Sequence, residues 1–129
     1  MPIKNRIAEF EGEMREWRHD LHMHPELCYE ETRTAGIVAE KLRSWGIETH
    51  EGVGRTGVVG VIKGNGSGTR AIGIRADMDA LPMQEVSNPE YKSTVPGKMH
   101  ACGHDGHTTM LLAAGRSLCE TRAFGGTVA

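Results

Sequence analysis

The residues best suited to chemistry lie in Met99-His100-Ala101-Cys102-Gly103-His104-Asp105-Gly106-His107, nine residues that hold one thiol, three imidazoles and one carboxylate. These groups are the usual protein ligands of transition-metal ions, so the segment reads as part of a metal site. Cys102 and His104 are two residues apart, and in an extended approach to a helix their side chains can point toward one ion. The alternative from this pair alone is a buried, unligated cysteine beside surface histidines. Gly103 and Gly106 favour the metal reading, because they let the backbone turn sharply between ligands. Zinc, manganese, cobalt or nickel would each suit a thiolate and a neutral imidazole.

A second group is Asp77-Met78-Asp79. At the end of a strand the two carboxylates share one face, where a carboxylate either binds an ion or fixes an imidazole through its second nitrogen. Read plainly, they are solvated turn residues, and Arg75 could pair with one of them. His22 and His24 form a His-x-His pair that could bind metal, but they precede Pro25 in an expected exit turn where polar residues are common. His100 and His107 are further candidates, and His107 could instead cap or line the next helix. His19 and His50 read as surface residues, and Cys28 and Cys119 as structural thiols.

The elements that would position these residues alternate between helix and strand. Ile3, Ile7, Phe10, Met14, Trp17 and Leu21 recur at three- and four-residue intervals and predict one amphipathic helix, stopped by Pro25. A second helix is expected from about residue 30 to 45, ended by Gly46, followed by a short strand at 47–50. Residues 57–63 and 70–76 are rich in β-branched side chains, and Gly64-Asn65-Gly66-Ser67-Gly68 between them reads as the turn of a hairpin. That turn lacks the Lys-Ser/Thr helix start of a phosphate cradle. Residues 77–82 would close the second hairpin strand, and 83–99 would form a polar loop. A third helix is expected at 106–121, then the start of a strand at 125–129. The pattern predicts an α/β domain with helices packed on a mixed β-sheet and ligand groups in loops beyond the strand ends.

Composition narrows the function classes. The 129 residues carry 15 basic and 17 acidic side chains and a formal charge of −2, which offers no basic field for nucleic acid. Apolar runs fall far short of the roughly 20 residues of a membrane span, and the first residues lack the apolar core of a signal peptide. Three cysteines are too few and too odd for a disulfide framework, so the expected location is the cytoplasm.

Three segments in order, 20–27 (Asp-Leu-His-Met-His-Pro-Glu-Leu), 73–82 (Gly-Ile-Arg-Ala-Asp-Met-Asp-Ala-Leu-Pro) and 99–107, closely resemble the amino-terminal part of the metal-dependent amidohydrolases of the aminoacylase/carboxypeptidase superfamily. The branch is the one that contains hippurate hydrolase and the N-acyl-amino-acid and auxin-conjugate amidohydrolases, and the likeness runs from about residue 6 to 129. The resemblance implies a zinc-peptidase-like catalytic domain, of which residues 1–129 are the N-terminal part. It implies that Cys102 and His104 are metal ligands, that Asp79 is the carboxylate orienting the site, and that two divalent ions act together. Asp77 stands where more distant branches have a histidine ligand.

The same resemblance implies that the general-base glutamate, one of an adjacent Glu-Glu pair, lies beyond Ala129. Later histidine ligands and a lid domain that supports dimerisation and binds substrate would also lie there. Glu30 and Glu31 belong to the early helix motif and do not stand in for that pair. The expected activity is hydrolysis of the amide bond of small N-acyl amino acids by a homo-oligomeric parent enzyme. The other class of reading is a noncatalytic metal-binding or interaction fragment. A sheet ending at Ala129 is expected to leave an unpaired edge and to favour poor solubility or oligomers.

Overall fold

The computed structural model describes the backbone of residues 2–129 and the side chains from residue 5 onward, so Met1 and the side chain of Ile3 lie outside the described residues. The elements are α1 (Pro2–Glu9), α2 (Glu11–Met23), α3 (Thr32–Ser44), β1 (Glu48–Val53), β2 (Gly57–Lys63), β3 (Gly66–Ile72), α4 (His104–Thr121) and β4 (Gly125–Val128). The expected mixed sheet with helices on it is present. No helix among the described residues is long and apolar enough to cross a membrane.

The first helix is divided where the sequence pattern predicted one. Phe10 has φ −87° and ψ −4°, and its amide donates to Ile7 O at 3.0 Å, a three-residue step that tightens the turn. The Phe10 ring is buried beneath the guanidinium groups of Arg6 and Arg116, at 4.6 Å and 4.1 Å from its centroid. Arg6 also reaches Glu120 with two 2.8 Å hydrogen bonds, and Arg116 reaches Glu13 at 3.0 Å. The first two helices are thereby fastened along α4.

α3 begins at Thr32 because Glu26, just after Pro25, turns back to cap it. Its carboxylate accepts from the amides of Arg33 and Thr34 at 2.8 Å and 2.7 Å and from the Thr34 hydroxyl at 2.6 Å. This satisfies free N–H groups at the positive end of the helix. The buried face of α3, with Ala35, Val38 and Ala39, lies over the sheet. A Cβ at Gly60 would sit 3.1 Å from Leu42 and Ile47 side-chain atoms, so helix and strand meet closely there.

The expected hairpin is absent. Strand order is β1-β2-β4-β3, with β4 antiparallel to β2 and parallel to β3. β2 and β3 run oppositely, as in a hairpin, but another strand lies between them. Gly64 and Gly66 donate to Gly126 O and Phe124 O, both at 2.9 Å, so the glycine-rich turn wraps around the start of β4. A Cβ at Gly64 would lie 2.0 Å from Phe124 O, one at Gly125 2.4 Å from Ser67 O, and one at Gly126 2.2 Å from Arg70 O. The glycines are the clearance through which β4 enters, neither a hairpin turn nor a phosphate cradle.

The second predicted strand is likewise displaced: β3 covers 66–72, and 73–79 form no strand. Ile74 still donates to Ala129 O at 2.8 Å, after which regular pairing stops. β3 is exposed along its whole length, with Ile72 and Ile74 on the surface.

Gly126 combines a φ of +88° with the 2.2 Å approach to Arg70 O. Gly126→Ala is expected to destabilise the fold by about 1–3 kcal/mol, read as a lower urea midpoint. An unchanged midpoint would contradict the tight insertion of β4.

Candidate metal centre

The 99–107 segment is held from both sides. Leu81 and Met99 exchange backbone hydrogen bonds of 2.9 Å and 3.1 Å, and the Ala80 amide donates to Glu26 O at 2.7 Å. Asp79 is therefore fixed by the residues directly after it, although it does not sit on a strand. From Met99 the chain turns at Ala101-Cys102, and Gly103, with φ +83°, feeds straight into α4. The helix begins at His104, two residues before the predicted start. The predicted extended approach at Cys102 is replaced by a turn, because the left-handed Gly103 lets the helix start without a side-chain cap.

This start brings the second and third motifs together. His104 Nδ1 lies 2.9 Å from Asp79 Oδ1 and 3.0 Å from Asp79 O, and both side chains are partly buried. The Thr108 hydroxyl donates to Asp77 O at 3.1 Å, one turn further along α4. With Nδ1 engaged by Asp79, His104 has no hydrogen bond through Nε2 among the described residues, and that nitrogen is the one left to bind an ion. Histidines that bind metals commonly hold their other ring nitrogen against a carboxylate in this way, which fixes tautomer and ring direction. Cys102 is exposed, which removes the buried-cysteine alternative.

Other candidates separate. Asp77 pairs with Arg75 at 2.6 Å, as the plain reading of the sequence anticipated. His107 is exposed, with its ring 5.6 Å from that of His104, and it does not cap α4. His24 Nδ1 lies 2.8 Å from Asp20 O. His50 pairs with Glu48 on the surface, while His19 stacks on Tyr91 at 3.9 Å. Cys28 is exposed, and the Cys119 thiol donates to Trp45 O at 3.3 Å.

Among the described residues, no three His, Cys, Asp or Glu side chains form a group that could hold a metal ion. The thiol of Cys102 and Nε2 of His104 suit a divalent transition ion by type. A cleft of about 800 Å³ runs between α3, α4 and the sheet and passes Asp77 and Asp79, but neither Cys102 nor His104 lines it. Its walls, including Leu42, Ile62, Leu111 and Val128, make it the apolar layer between helices and sheet.

His22 departs most from its predicted setting. It belongs to the last turn of α2, not to an exit turn, and is only 5% exposed. Its Nδ1 lies 2.8 Å from Asp105 Oδ2 and its Nε2 3.3 Å from Glu85 Oε1. Arg18 Nε stands 3.3 Å from the same Asp105 oxygen. Glu85 also accepts from the Ser93 amide at 2.7 Å and the Ser87 hydroxyl at 2.8 Å, so the 83–99 segment is organised around a buried carboxylate. His100 is buried next to this group, its ring 6.4 Å from that of His22, with neither ring nitrogen hydrogen-bonded. Burial holds its imidazole below the ordinary histidine range. Asp105 entered the sequence reading only as the carboxylate of the 99–107 segment, not as a partner of His22, and Glu85 was not predicted: no pattern could have shown it, since the residue is 2% exposed while Val86 beside it is 93% exposed.

Comparison with known proteins agrees with this architecture. A Bacillus subtilis protein described as a dinuclear metal binding peptidase from the M20 family superposes with a TM-score of 0.88 and 41% identity, over 94% of this chain and 34% of that one. The hippurate hydrolase of Campylobacter jejuni is 52% identical over 114 residues, covering 88% of this chain and 30% of the relative. Thermostable carboxypeptidase 2 of Saccharolobus solfataricus is 49% identical over 121 residues, covering 93% of this chain and 30% of that enzyme. The fold is thus shared with part of the solved Bacillus subtilis structure. Residues 73–129 match the model of Peptidase family M20/M25/M40. The chain spans about 30% of the length of these curated relatives.

Burial alone would raise the Glu85 pKa, but the Ser93 amide, the Ser87 hydroxyl and His22 together outweigh it and hold the carboxyl below the ordinary glutamate range. A carboxylate depressed in the folded state stabilises the fold above its unfolded pKa, and that stability is lost as pH falls through the folded value. Glu85→Gln is therefore expected to lower stability at pH 7 and to flatten its decline below about pH 4.3. Chemical denaturation from pH 7 to 3 measures both effects, and an unaltered slope would show that Glu85 does not contribute.

Proposed function

We propose that residues 1–129 form the N-terminal part of the catalytic domain of a metal-dependent hydrolase that cleaves the amide bond of small N-acyl amino acids of the hippurate type. The observation that carries this reading is the 2.9 Å contact between His104 Nδ1 and Asp79 Oδ1, which joins two motifs 25 residues apart and leaves Nε2 for an ion. The names of similar proteins, hippurate hydrolase and N-acyl-L-amino acid amidohydrolase among them, support the substrate class. The dinuclear metal binding of the Bacillus subtilis neighbour supports a pair of divalent ions, with zinc, manganese, cobalt and nickel all compatible with a thiolate and an imidazole.

In this reading Cys102 and His104 hold metal, and Asp79 fixes the imidazole of His104. Bound ions of this kind polarise the scissile carbonyl and lower the pKa of a coordinated water. Asp79 keeps Nδ1 protonated by accepting its hydrogen bond, so Nε2 keeps a free lone pair. The left-handed Gly103 sets the angle between the Cys102 turn and the first turn of α4. The general-base glutamate, the remaining ligands and the lid that would complete a homo-oligomeric, cytoplasmic enzyme are assigned to sequence outside residues 1–129.

In the complete polypeptide, Cys102→Ala and His104→Ala are expected to lower bound metal and hippurate hydrolysis together, measured by elemental analysis and product release. Asp79→Asn is expected to weaken metal affinity about 10–100-fold. Full metal occupancy with full activity in both alanine variants would refute the assignment. The 129-residue chain by itself, of verified mass, is expected to show no turnover with added zinc, manganese or cobalt, and measurable hydrolysis would require a different base.

A further inference from the structure

We propose that His22 is a positioning residue for the metal-donor loop: by engaging Asp105 through one ring nitrogen and Glu85 through the other, it sets where the first turn of α4, and with it His104, stands. The proposal rests on the reading of Cys102 and His104 as metal donors.

Three observations lead to it. First, the buried group is placed at one point of the fold. His22 is 5% exposed, Glu85 2% and Asp105 1%. Ionisable groups are rarely buried this deeply unless they are paired, because each must give up its hydration. Second, the partners are remote in sequence. His22 and Asp105 are 83 residues apart, and His22 and Glu85 63 apart, so one rigid ring ties α2 to the start of α4 and to the 83–99 segment. Third, Asp105 directly follows His104 in the first turn of α4. Any displacement of Asp105 is transmitted to His104 through one peptide unit, because consecutive Cα atoms are held about 3.8 Å apart.

The neighbouring contacts explain why a ring is needed. Asp79 holds His104 Nδ1 from one side, and the Thr109 hydroxyl donates to Asp105 O at 2.8 Å, which closes the first turn on itself. Those contacts fix the ring of His104 and the local helix, but neither relates α4 to α2. The His22–Asp105 contact does so at 2.8 Å, with Arg18, one turn earlier on α2, at 3.3 Å from the same carboxylate oxygen. Tyr91 stands edge-on to His22 with centroids 5.4 Å apart and stacks on His19, so the imidazole plane is restrained on its apolar side as well. A side chain that served only to fill space here would not need two polar ends directed at two separate carboxylates.

The test uses the complete polypeptide loaded with cobalt(II), whose visible absorption reports ligand geometry. His22→Gln keeps a polar side chain but cannot face both carboxylates across a rigid ring. It is expected to weaken cobalt affinity by about tenfold or more and to shift the visible band, with kcat reduced more than KM is raised. Asp105→Asn is expected to do the same, and the double variant to be no worse than the poorer single one, because both changes act through one contact. His24→Ala, at the half-buried residue that follows α2, serves as a control with unchanged affinity and spectrum. Wild-type cobalt affinity and absorption in a folded His22→Gln protein would overturn the proposal, as would fully additive losses in the double variant. Should His22→Gln fail to fold, Glu85→Gln carries the test: a shifted band supports the proposal and a wild-type band refutes it. Cys102→Ala in the same series separates the two readings. Undiminished cobalt affinity there refutes the metal assignment itself, whereas lost affinity there with a normal His22→Gln protein refutes only the role of His22.

Discussion

The order of the sheet depends on one close approach between backbones. β4 can lie between β2 and β3 only if no side chain stands in its path at Gly64, Gly125 and Gly126, where added Cβ atoms would come within 2.0–2.4 Å of carbonyl oxygens. Once β4 is seated, α4 is fixed too, because only residues 122–124 join them. β3 is then drawn into the sheet as the parallel neighbour of β4, and the chain leaves it at Ile72 in the direction of Asp77 and Asp79. The start of α4 and the carboxylate facing it are therefore consequences of a single insertion. A hairpin between β2 and β3 would have used the same residues and the same antiparallel sense. It would have left α4 without a strand to return to.

Position on the sheet sets only the neighbourhood of the site, and backbone pairing supplies the finer adjustment. Ala80 is bonded to the turn after Pro25, and Leu81 to Met99, so the first, second and third sequence motifs meet along a stretch of two residues. Glu26 adds to this meeting point from the other direction by capping α3. The capped helix and the Asp79 segment share a boundary, which means that a cap of ordinary strength, about 1 kcal/mol in stability, also acts on the geometry around His104.

Much of this was legible in the sequence, and the failures have physical causes. Helix periodicity located α3 and α4 closely, because their apolar faces pack on a sheet and on each other. It missed the break at Phe10, since an aromatic residue that fits the helical stripe can equally turn inward beneath two arginines. The glycine-rich segment was read as a turn because clearance for an inserted strand and a tight turn use the same residue. Only the second glycine pair, at 125–126, distinguishes the two, and it lies some 60 residues away. Cys102, His104 and Asp79 stood out as candidates through residue type, spacing and resemblance, and the contact between the last two is present. Glu85 did not, because its burial comes entirely from a segment folded around it through Ser87 and Ser93.

The burial of His22, Glu85, His100 and Asp105 in so small a domain is the feature that helix and sheet packing alone do not explain. Leaving one member of a buried pair uncompensated costs roughly 3–5 kcal/mol, a large part of the 5–15 kcal/mol by which domains are stable. Apolar residues of similar volume would fill the same space without that exposure to loss. Stability therefore gives little reason for the cluster. Direction does: a hydrophobic contact fixes distance loosely, whereas an imidazole between two carboxylates fixes angle and register at both ends. The cluster lies beneath the first turn of α4 and not beneath its last, where Arg122 and Thr121 meet solvent-facing turns. Geometric control is concentrated at the turn that carries His104, while the far end of the same helix is secured by Phe10, Arg116 and Glu120.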